Sequence, residues 1–468
     1  MAGLRPRSPT MQFVHARVNA CVVLPGRRHV AANDEFPAPS LFPGGAAPQI
    51  AVMQITPADP RPFLRALFDA AVAAADPMLA VPPHLPDRPS DGRVLVLGAG
   101  KASARMAEAV EAAWGPCEGL ILTRYGHGRP LRGIELVEAA HPVPDAAGLA
   151  GSARLLNLAR GLGEEDLCLA LISGGASSLL TVPRRPLTGA DIAAVNAALL
   201  ASGLPIGTMN QVRRQLDDAK GGRLAAAAWP ARTLALAISD VPGDDPAVIG
   251  SGPTVGGADP AGLRAAAGTL DVPGPVRPLL DERPYALPAH DPRLARCETR
   301  VIAAPSHSLS AARSLAAAAG VRVIDLGPEV EGEARHVAAH HAEVALEARG
   351  TGPVLILSGG ELTVTRREGA RGVGGPNAEY ALAMAIALGG AADVHAIACD
   401  TDGVDGAAEV AGACIGPGTL ARAREAGRDP ARALEDHDAH GFFGATGDAV
   451  ITGPTLTNVN DFRAILVR

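Results

Sequence analysis

The sequence is poor in lysine, in aromatic residues and in long apolar runs, and each shortage excludes a class of protein. Of 468 residues, 42 are basic but only two are lysine, aromatic residues make up 3%, and the net charge is −7. Nucleic-acid binding needs basic grooves and stacking rings, which this chain lacks. No apolar run reaches the roughly 18 residues of a membrane-spanning helix. We therefore expect a globular chain of two or three domains, with no nucleic-acid partner and no membrane partner.

The six cysteines follow no disulfide or metal-binding spacing. They are scattered without a CxxC pair, at Cys21, Cys117, Cys168, Cys297, Cys399 and Cys414. Cys168 and Cys399 lie inside apolar runs that are typical of buried strands. Cysteines of this kind serve as small core residues in a reducing compartment. We expect a cytoplasmic protein without a disulfide framework.

Both lysines stand next to glycine, Lys101 in GAGKAS and Lys220 in DDAKGGRLA. The abundance of Ala, Arg, Gly and Pro is typical of GC-rich codon usage, under which Arg tends to replace any Lys that it can mimic. Arg cannot mimic a compact, rotatable ammonium. We predict that the two lysines serve the function. The alternative is that the two remaining lysines lie next to glycine by chance.

The first 52 residues differ from the rest of the chain. Residues 1–52 are rich in Pro and Arg and lack sustained periodicity, so we interpret them as a disordered N-terminal extension and Met53 as the functional start. After this point, apolar strand patterns alternate with helical ones, which is typical of α/β layers. Residues 272–293 and 348–353 are candidate joints, and a second α/β unit begins near residue 353.

Most of the strong strand patterns end in a polar turn. The five turns are GAGK, SGGASS, SDVPGDD, SGGE and CDTDG, and the last of them ends the pattern at 394–403, which we take as the last strong strand. In open parallel sheets, ligands bind beyond the carboxyl ends of the strands. Five such turns on one edge predict a cleft for a polar, anionic ligand.

The GAGKAS turn predicts an anion site. Its spacing is wrong for a Walker A loop, and Ser103 replaces the third glycine of the dinucleotide-binding GxGxxG pattern. What remains is a turn from strand to helix, with Gly98 and Gly100 and the positive charge of Lys101, at a helix N-terminus suited to anions. The alternative is a solvated loop lysine.

The SGGASS turn has the same form. Gly174 and Gly175 permit close backbone approach, and Ser177 and Ser178 are candidate donors to an anion at a helix N-terminus. Helix capping by serine explains the pattern equally well. A hydrolase is disfavoured because the GxSxG frame of a nucleophilic serine is missing.

Carboxylates follow three of the strand patterns. Asp240, Asp400 and Glu361 are the first acids after apolar strands and are candidates for Mg²⁺ binding or for general-base catalysis. The segment CDTDGVDG lacks the spacing and the twelfth-position glutamate of an EF-hand. We interpret Asp402 and Asp405 as residues that form the turn.

The histidines give a weaker signal. His141, flanked by prolines, is either a ligand contact or part of a rigid turn. The pairs His340 and His341, and His437 and His440, lack metal-like spacing, and we expect both pairs on solvated faces.

Taken in order, the motifs resemble the glycerate 2-kinase family, two-domain glycerate kinases with a C-terminal MOFRL domain that are often named hydroxypyruvate reductase in bacteria. The matching segments between residues 94 and 461 are VLVLGAGKASARMAEA, HPVPD, LISGGASSLL, MNQVRRQLDDAKGGRLA, ISDVPGDDPAVIGSGPT, LILSGGELTVT, GVGGPNAEYALA, CDTDGVDG and GPTLTNVND.

The resemblance implies the fold and the reaction. It implies a larger, Rossmann-like N-terminal α/β domain with a mostly parallel sheet, a smaller C-terminal MOFRL domain, and a cleft between them. We place the first domain at residues 53–290 and the second at residues 351–468. Part of residues 291–350 could also belong to the first domain. It also implies that ATP phosphorylates the 2-hydroxyl of D-glycerate with Mg²⁺, giving 2-phosphoglycerate and ADP. We expect a monomer or a homodimer with only small-molecule partners.

The resemblance also implies roles for residues. Lys101, Asp240, Asp400 and Arg371 would be catalytic, with Asp240 and Asp400 as metal ligands. The residues that would bind substrate or nucleotide are Gly98, Gly100, Ser103, Gly174, Gly175, Ser177, Ser178, Arg213, Lys220, Glu361 and Asn377. Glu379 also matches the family's GGxNxE turn.

Two departures from the family pattern bear on these roles. Val373 stands where the family commonly has arginine, so Arg371 would have to substitute for it. Asp217 and Asp218 add negative charge near the KGG segment, which should weaken the binding of an anion unless their side chains face away.

Two other functions remain open at this point. An NAD(P)H-dependent hydroxypyruvate or tartronate reductase is opposed by Ser103 and by the lack of a ribose-binding acid about 20 residues after the glycine turn. A non-catalytic ligand-binding relative is favoured only by Val373. The physics fits a kinase, because phosphoryl transfer depends on positioning and on neutralising charge.

Overall fold

The computed structural model describes residues 56–468 except 258, 259, 368 and 407, so the expected extension and Cys21 lie outside the described residues. The helices are α1 Pro60–Ala74, α2 Pro77–Ala80, α3 Ser103–Trp114, α4 Ala146–Arg160, α5 Ala176–Leu179, α6 Gly189–Ala201, α7 Ile206–Gln215, α8 Arg223–Ala228, α9 Pro260–Thr269, α10 Arg277–Asp281, α11 Pro305–Ala318, α12 Ala334–Glu347, α13 Pro376–Leu388, α14 Thr419–Glu425, α15 Pro430–Glu435 and α16 Ala439–Thr446. The strands are β1 Val94–Ala99, β2 Glu118–Arg124, β3 Ile134–Ala139, β4 Leu167–Ile172, β5 Arg232–Ile238, β6 Cys297–Ala303, β7 Arg322–Asp325, β8 Gly332–Glu333, β9 Val354–Ser358, β10 Leu362–Thr363, β11 Val394–Asp400, β12 Gly412–Ile415, β13 Ala449–Val450 and β14 Asp461–Val467.

The first sheet contains six parallel strands in the order β3-β2-β1-β4-β5-β6. This is the strand order of a doubly wound nucleotide-binding fold. Its inner strands are apolar along their whole length because helices cover both faces of a parallel sheet. All six residues of β4, for example, are buried. Helix α3 packs on one face, and α4 and α8 pack on the other.

Helices inserted after β4 and β5 form a separate helical cluster beside the first sheet. α6 and α7 follow β4, α9 and α10 follow β5, and their leucines and valines share one apolar cluster. The cluster has its own core, which Leu199 and Val212 occupy with no exposed surface. The insertion therefore forms a wall beside the carboxyl edge of the sheet.

The second sheet is mixed, in the order β13-β12-β11-β14-β9-β7. β14 lies between β11 and β9 and is antiparallel to both, whereas β7 and β9 are parallel. A parallel pair, β8 and β10, stands apart from both sheets. Helices α12 and α13 cover one face of the second sheet, and α1 and α11 cover the other.

The expected fold class is confirmed: an α/β protein whose first six-stranded sheet is parallel and whose second, C-terminal sheet forms a separate layer. The expectation that the 394–403 strand is the last strong one is wrong, because β12 and β14 follow it. β14 is fully buried although it contains Asp461 and Arg463, which pair with each other at 2.8 Å. The domain bounds at 290 and 351 stay a prediction; α1 packs against the second sheet, with Phe68 and Phe462 in ring contact.

Two expectations concern the surroundings of the chain. Cys168 and Cys399 are buried in β4 and β11 as expected, and all five described cysteines are free thiols. No helix in the described ranges combines the length and apolar character that crossing a bilayer requires.

Candidate active site

The candidate site starts where the strand order of the first sheet reverses. β1 and β4 are neighbours, but their connections lead in opposite directions, and a crevice opens beyond their carboxyl ends. The turns after the two strands are tied together, since Lys101 N donates to Gly174 O at 2.8 Å and Ser173 N donates to Ala99 O at 3.1 Å. A Cβ on Gly100, whose φ is +134°, would lie 2.1 Å from Ser173 Oγ. This turn therefore accepts no side chain at residue 100.

Lys101 forms an ion pair that connects the two sheets. Its Nζ donates to Asp402 Oδ2 at 2.6 Å, and Asp402 follows β11 in the second sheet. The side chain of Lys101 is 16% exposed and that of Asp402 is 1% exposed. Asp402 Oδ1 accepts the backbone N–H of Val404 at 2.8 Å, which fixes the carboxylate. The pair joins the first turn of the crevice to the opposite sheet.

Charges around Lys101 keep it positive. Burial alone would lower the pKa of Lys101, but the carboxylates of Asp402, Asp400 and Asp240 outweigh burial and raise the pKa above its ordinary value. The ammonium is therefore protonated at every physiological pH. A permanent cation at this crevice can bind the oxygens of a phosphate or of a carboxylate.

The carboxylates near Lys101 outnumber the cations. Burial raises the pKa of Asp240 to about 6. Burial, with the charges of Asp461 and Asp240, raises the pKa of Glu361 to about 7. The pKa of Asp400 also lies well above its ordinary value because of burial and of Asp402. Burial is the largest cause of these raised pKa values and neighbouring carboxylates add to it, so a bound cation would stabilise the charged forms.

Mg²⁺ fits this set of donors. Asp240 and Asp400, the two predicted ligands, follow β5 and end β11. Among the described residues, no three His, Cys, Asp or Glu side chains form a metal site by themselves. Mg²⁺ at phosphoryl-transfer sites takes one or two carboxylates and completes its shell with phosphate oxygens and water. The two carboxylates match that sharing of ligands better than a cage of protein ligands.

Asp240 is held against the turn that follows β4. Its Oδ2 accepts a hydrogen bond from Asn458 Nδ2 at 3.1 Å. A Cβ on Gly174 would lie 2.1 Å from the same oxygen. Gly174 therefore lets the carboxylate approach the crevice, and any larger residue at position 174 would displace it.

A second network supports the acids from the second sheet. Asn377 Nδ2 donates to Asp461 Oδ1 at 2.6 Å, and Arg463 Nη1 donates to Asp461 Oδ2 at 2.8 Å. The carboxylate of Asp405 accepts the backbone N–H groups of Asn377 and Ala378 at 2.9 and 2.8 Å. Asn377, predicted as a binding residue, thus also positions Asp461, while Asp405 caps α13.

Two of the predicted residues around GAGKAS have packing contacts. A Cβ on Gly98 would lie 2.5 Å from Leu171 O, in the neighbouring strand β4. Ser103 is fully buried, and its hydroxyl is shared between Gly100 O at 2.7 Å and Leu122 O at 2.8 Å. The structure places both residues behind the crevice, where they hold the turn in shape.

The SGGASS turn is followed by a single helical turn, since α5 has four residues. Its serines are engaged: Ser177 Oγ lies 2.7 Å from Ser251 Oγ, and Ser178 Oγ donates to Gly175 O at 3.1 Å. So short a helix contributes little of the dipole that the expected anion site assumed. Ser177 nevertheless faces a small cavity that is described below.

His141 lies against the same turn. A Cβ on Gly175 would lie 3.0 Å from His141 Nε2 and 3.4 Å from Lys101 Cγ. Burial and the charge of Lys101 lower the pKa of His141 to about 4. His141 is therefore a neutral neighbour of the cation at physiological pH.

Lys220 is placed away from solvent. Its Nζ is shared by Asp217 Oδ2 at 2.5 Å and Leu180 O at 2.7 Å, and the residue is 1% exposed. Asp218 accepts the hydroxyl of Tyr285 at 2.6 Å. The negative charge of Asp217 is thus balanced by Lys220, so the first of the two added acids has its own partner. Lys220 ties the KGG segment to the end of α5.

Comparisons with known proteins assign the chain to a family. A family described as a domain of unknown function, DUF4147, matches residues 63–272, and the MOFRL family matches residues 354–461. A protein of Agrobacterium vitis with the provisional name hydroxypyruvate reductase is 50% identical over 422 residues, which cover 87% of this chain and 94% of the relative. The D-glycerate 2-kinase of Thermotoga maritima is 35% identical over 405 residues, which cover 84% of this chain and 94% of that kinase.

The crystal structure of a glycerate kinase from Thermotoga maritima superposes with a TM-score of 0.76 at 32% identity, covering 87% of this chain and 99% of that one. The chain belongs to the glycerate 2-kinase family. Since the matches run across both sheets, the family assignment covers both sides of the Lys101–Asp402 pair.

Val373, where the resemblance led us to expect an arginine, has an exposed side chain. Val373 is 50% exposed, its N–H donates to Asp438 Oδ1, and its carbonyl accepts the N–H of His440. Arg371 is exposed in the same loop. Within the described residues, no hydrogen bond or ion pair joins Arg371 to Lys101 or Asp402.

The expectation of solvated histidines is wrong for three of the four. His341 contacts Tyr380 Oη at 2.9 Å, His437 Nδ1 lies 2.7 Å from Glu379, and His440 Nε2 lies 3.1 Å from Asp405. The Ala-rich helix α12 packs on α13, because alanine lets the two helices approach closely. Only His340 is on the solvated face, with 72% of its side chain exposed.

The sequence did not reveal four residues of the site, which are Asp402, Asn458, Asp461 and Arg463. Asp402 was expected only to form a turn. The other three come from the segment at the end of the GPTLTNVND motif and from β14. The signal for them was present, since polar residues immediately before and inside an apolar strand are expensive to bury and so indicate a function.

Proposed function

We propose that the chain is a glycerate 2-kinase that transfers the γ-phosphoryl group of ATP to the 2-hydroxyl of D-glycerate with Mg²⁺, giving 2-phosphoglycerate and ADP. The observation that carries the proposal is the Lys101–Asp402 pair at 2.6 Å, a permanent cation at a nucleotide-fold crevice surrounded by excess carboxylates. The relatives named as glycerate kinases support the choice of acceptor.

In this proposal Lys101 binds oxygens of the transferring phosphoryl group. Its ammonium has three N–H donors, of which Asp402 takes one. The remaining donors are free to follow the phosphoryl group as negative charge develops. Asp402 fixes the direction of the ammonium, and a planar guanidinium would not offer the same compact charge.

Asp240 and Asp400 hold Mg²⁺ in this proposal. When bound, Mg²⁺ neutralises charge on the phosphate oxygens. Asn458 holds Asp240 in position at 3.1 Å, and the backbone N–H of Asp402 donates to Asp400 Oδ1 at 2.9 Å. Glu361, at the edge of the cleft, contributes to the electrostatic field that attracts the cation.

The transfer balances without a covalent enzyme intermediate. The 2-hydroxyl oxygen forms a bond to the γ-phosphorus, the bond from phosphorus to the bridging oxygen of ADP breaks, and the hydroxyl proton passes to a carboxylate of the site. The remaining predicted residues shape the crevice, namely Gly98, Gly100, Ser103, Gly174, Gly175, Ser178, Lys220 and Asn377. Arg371 is proposed to approach the phosphates in place of the family's arginine at position 373.

A reductase is the second candidate, and Arg124 is the observation that favours it. Arg124 ends β2, where NADP-dependent Rossmann enzymes place an arginine for the 2′-phosphate. Against it, Ser103 stands at the third position of the glycine fingerprint and binds Gly100 O.

One assay separates the candidates. Purified protein is incubated with D-glycerate and Mg-ATP while ADP is followed, and in parallel with hydroxypyruvate and NADH or NADPH while nicotinamide absorbance is followed. The proposal expects glycerate-dependent ADP that EDTA abolishes, and phosphorus NMR of the product separates 2- from 3-phosphoglycerate. Nicotinamide oxidation without ADP formation would select the reductase, and neither signal would select a non-catalytic binding protein.

The proposal includes a cytoplasmic setting and a monomer or homodimer. The five free cysteines support a reducing compartment. Light scattering of the purified chain measures the oligomeric state directly.

A further inference from the structure

A small cavity next to Arg213 lies outside the groups that contact the phosphates in the proposed transfer. It has a volume of about 20 Å³ and lies between α5, α6 and α7. Its polar wall consists of Ser177, Thr181, Asn196, Arg213, Asp217 and Lys220. This space holds one water-sized group. An oxygen of a carboxylate fits it, and a nucleotide does not.

Among the described residues, Arg213 has only uncharged hydrogen-bond partners. Its Nε donates to Asn196 Oδ1 at 3.3 Å, and its Nη1 donates to Asn210 Oδ1 at 3.0 Å. Burial lowers the pKa of Arg213. In the described part of the chain, no carboxylate forms an ion pair with it, whereas the neighbouring Lys220 is paired with Asp217 at 2.5 Å. The cavity therefore keeps one positive charge.

The two amides hold the guanidinium without cancelling its charge. Asparagine oxygen accepts a hydrogen bond as a carboxylate does but carries no net charge. A partly buried cation with only neutral partners costs stability. Such an arrangement is useful when the charge is kept for an anion that arrives later, and a guanidinium matches a carboxylate by geometry.

The cavity lies near the turn that borders Lys101. Ser177 lies in its wall and follows Gly175, which is adjacent to Lys101 Cγ. Ser251 Oγ contacts Ser177 Oγ at 2.7 Å and donates to Asn210 Oδ1 at 3.2 Å. These contacts place the Arg213 cavity at the far end of the same turn that borders the proposed phosphoryl site.

We propose that the Arg213 cavity receives one oxygen of the acceptor's carboxylate, and that Asn196 and Asn210 are positioning residues that direct the guanidinium while leaving its charge available. The inference rests on the proposed function, because it assumes that a small hydroxy acid is the acceptor. It adds the reason for selectivity: an acid is held by Arg213, and a neutral polyol such as glycerol is not.

The test places a carboxylate beside Arg213. Asn196→Asp keeps the size of the side chain and neutralises the guanidinium, whereas Asn196→Ala removes the hydrogen bond but leaves the charge. We expect Asn196→Asp to raise the KM for D-glycerate about ten- to a hundredfold, the loss of a charge-assisted hydrogen bond, with the KM for ATP unchanged. Asn196→Ala should raise it less, and Asn210→Asp should repeat the effect of Asn196→Asp.

A matched control is available on the surface. Asn157 Oδ1 accepts from Arg160 Nη1 at 2.9 Å on exposed α4, so Asn157→Asp makes the same change far from the cavity and should leave both KM values unchanged. We expect the KM of Asn196→Asp for D-glycerate to rise at least about tenfold. If it stays within about twofold of the wild-type value, the proposal is overturned. So does an equal effect of Ala and Asp, because a merely structural asparagine would not distinguish them.

Binding measurements keep the two proposals separable. Calorimetry with D-glycerate, hydroxypyruvate and glycerol is run on wild type and on Asn196→Asp. If wild type forms no ADP but binds the acids and not glycerol, and Asn196→Asp loses that binding, the kinase proposal fails and the carboxylate site stands. If wild type is a kinase and the acids bind Asn196→Asp as tightly as wild type, the site fails alone.

Discussion

Lys101 Nζ and Asp402 Oδ2 lie 2.6 Å apart and connect the turn after β1 with the turn after β11. The two residues are separated by 301 positions in the chain. The relative positions of the two sheets therefore determine the direction of the cation, and any movement between the sheets has to carry this pair or break it.

Lys101→Arg keeps the charge and should still remove most activity. A guanidinium is larger than an ammonium and cannot occupy the same buried place next to Asp402, so we expect turnover to fall about a hundredfold or more. ADP formation with saturating glycerate measures it. Arg154→Lys, at an exposed ion pair with Glu135, is the matched control with normal turnover. Near-normal turnover of Lys101→Arg would contradict the special role of the lysine.

Asp402→Asn should destabilise the protein and slow the reaction. Removing Asp402 breaks a buried charge-assisted hydrogen bond, but Asp400 and Asp240 still face Lys101, so we expect a cost of about 1.5–3 kcal/mol in the free energy of unfolding. Urea denaturation measures this loss. Asp69→Asn breaks the exposed pair with Arg65, 2.8 Å in length, and should cost less than about 1 kcal/mol. Equal losses in the two variants would show that the Lys101–Asp402 pair is not special.

Lys220 and Asp217 should behave as a unit in unfolding experiments. Lys220→Met leaves Asp217 buried without a partner, and we expect a loss of about 3–5 kcal/mol in the free energy of unfolding. The double variant Lys220→Met with Asp217→Leu should recover most of that loss, because both charges are gone. Additive losses in the double variant would refute the coupling.

His341 should make the fold sensitive to acid. Burial and the nearby charge of Arg463 lower the pKa of His341 to about 4, from 6.5 in the unfolded chain. The unfolded chain therefore binds one more proton between these values, so stability is complete above pH 6.5 and falls as the pH decreases toward 4. In His341→Gln, the free energy of unfolding should decrease between pH 6.5 and pH 4 by up to about 3 kcal/mol less than in the wild type.

The control for that prediction is the adjacent residue. His340 is 72% exposed, and His340→Gln should leave the pH dependence of unfolding unchanged. Urea denaturation at pH 7.5, 6 and 5 measures both variants. If His341→Gln retains the full acid sensitivity of the wild type, the residue does not carry it.

The parts of the fold that could be predicted from the sequence are those that local pattern determines. The apolar runs of β1, β4, β5, β9 and β11 and the polar turns after them are visible without a structure because parallel and buried strands are apolar along their length. The order of the first sheet then places the turns of β1 and β4 at one crevice.

The pairing across the sheets could not be predicted in this way. Asp402 has the sequence context of a turn residue, and only the placement of the second sheet brings it to Lys101. β14 was missed because Asp461 and Arg463 interrupt its apolar pattern, although each neutralises the other in the folded chain. The burial of His341 depends on the contact of α12 with α13, which a local pattern of alanines does not reveal.

Because β14 pairs with both β9 and β11 and follows them in the chain, the centre of the second sheet is completed late in folding. Both neighbours precede β14 in the chain, by more than 60 residues in the case of β11, so a chain made from its amino end holds two unpaired strand edges until β14 has been added. Pairings over such separations form slowly. Asp461 belongs to β14, and Asn458 precedes it. The support for Asp240 and Asn377 is therefore assembled last, and an incompletely folded chain has no finished cleft.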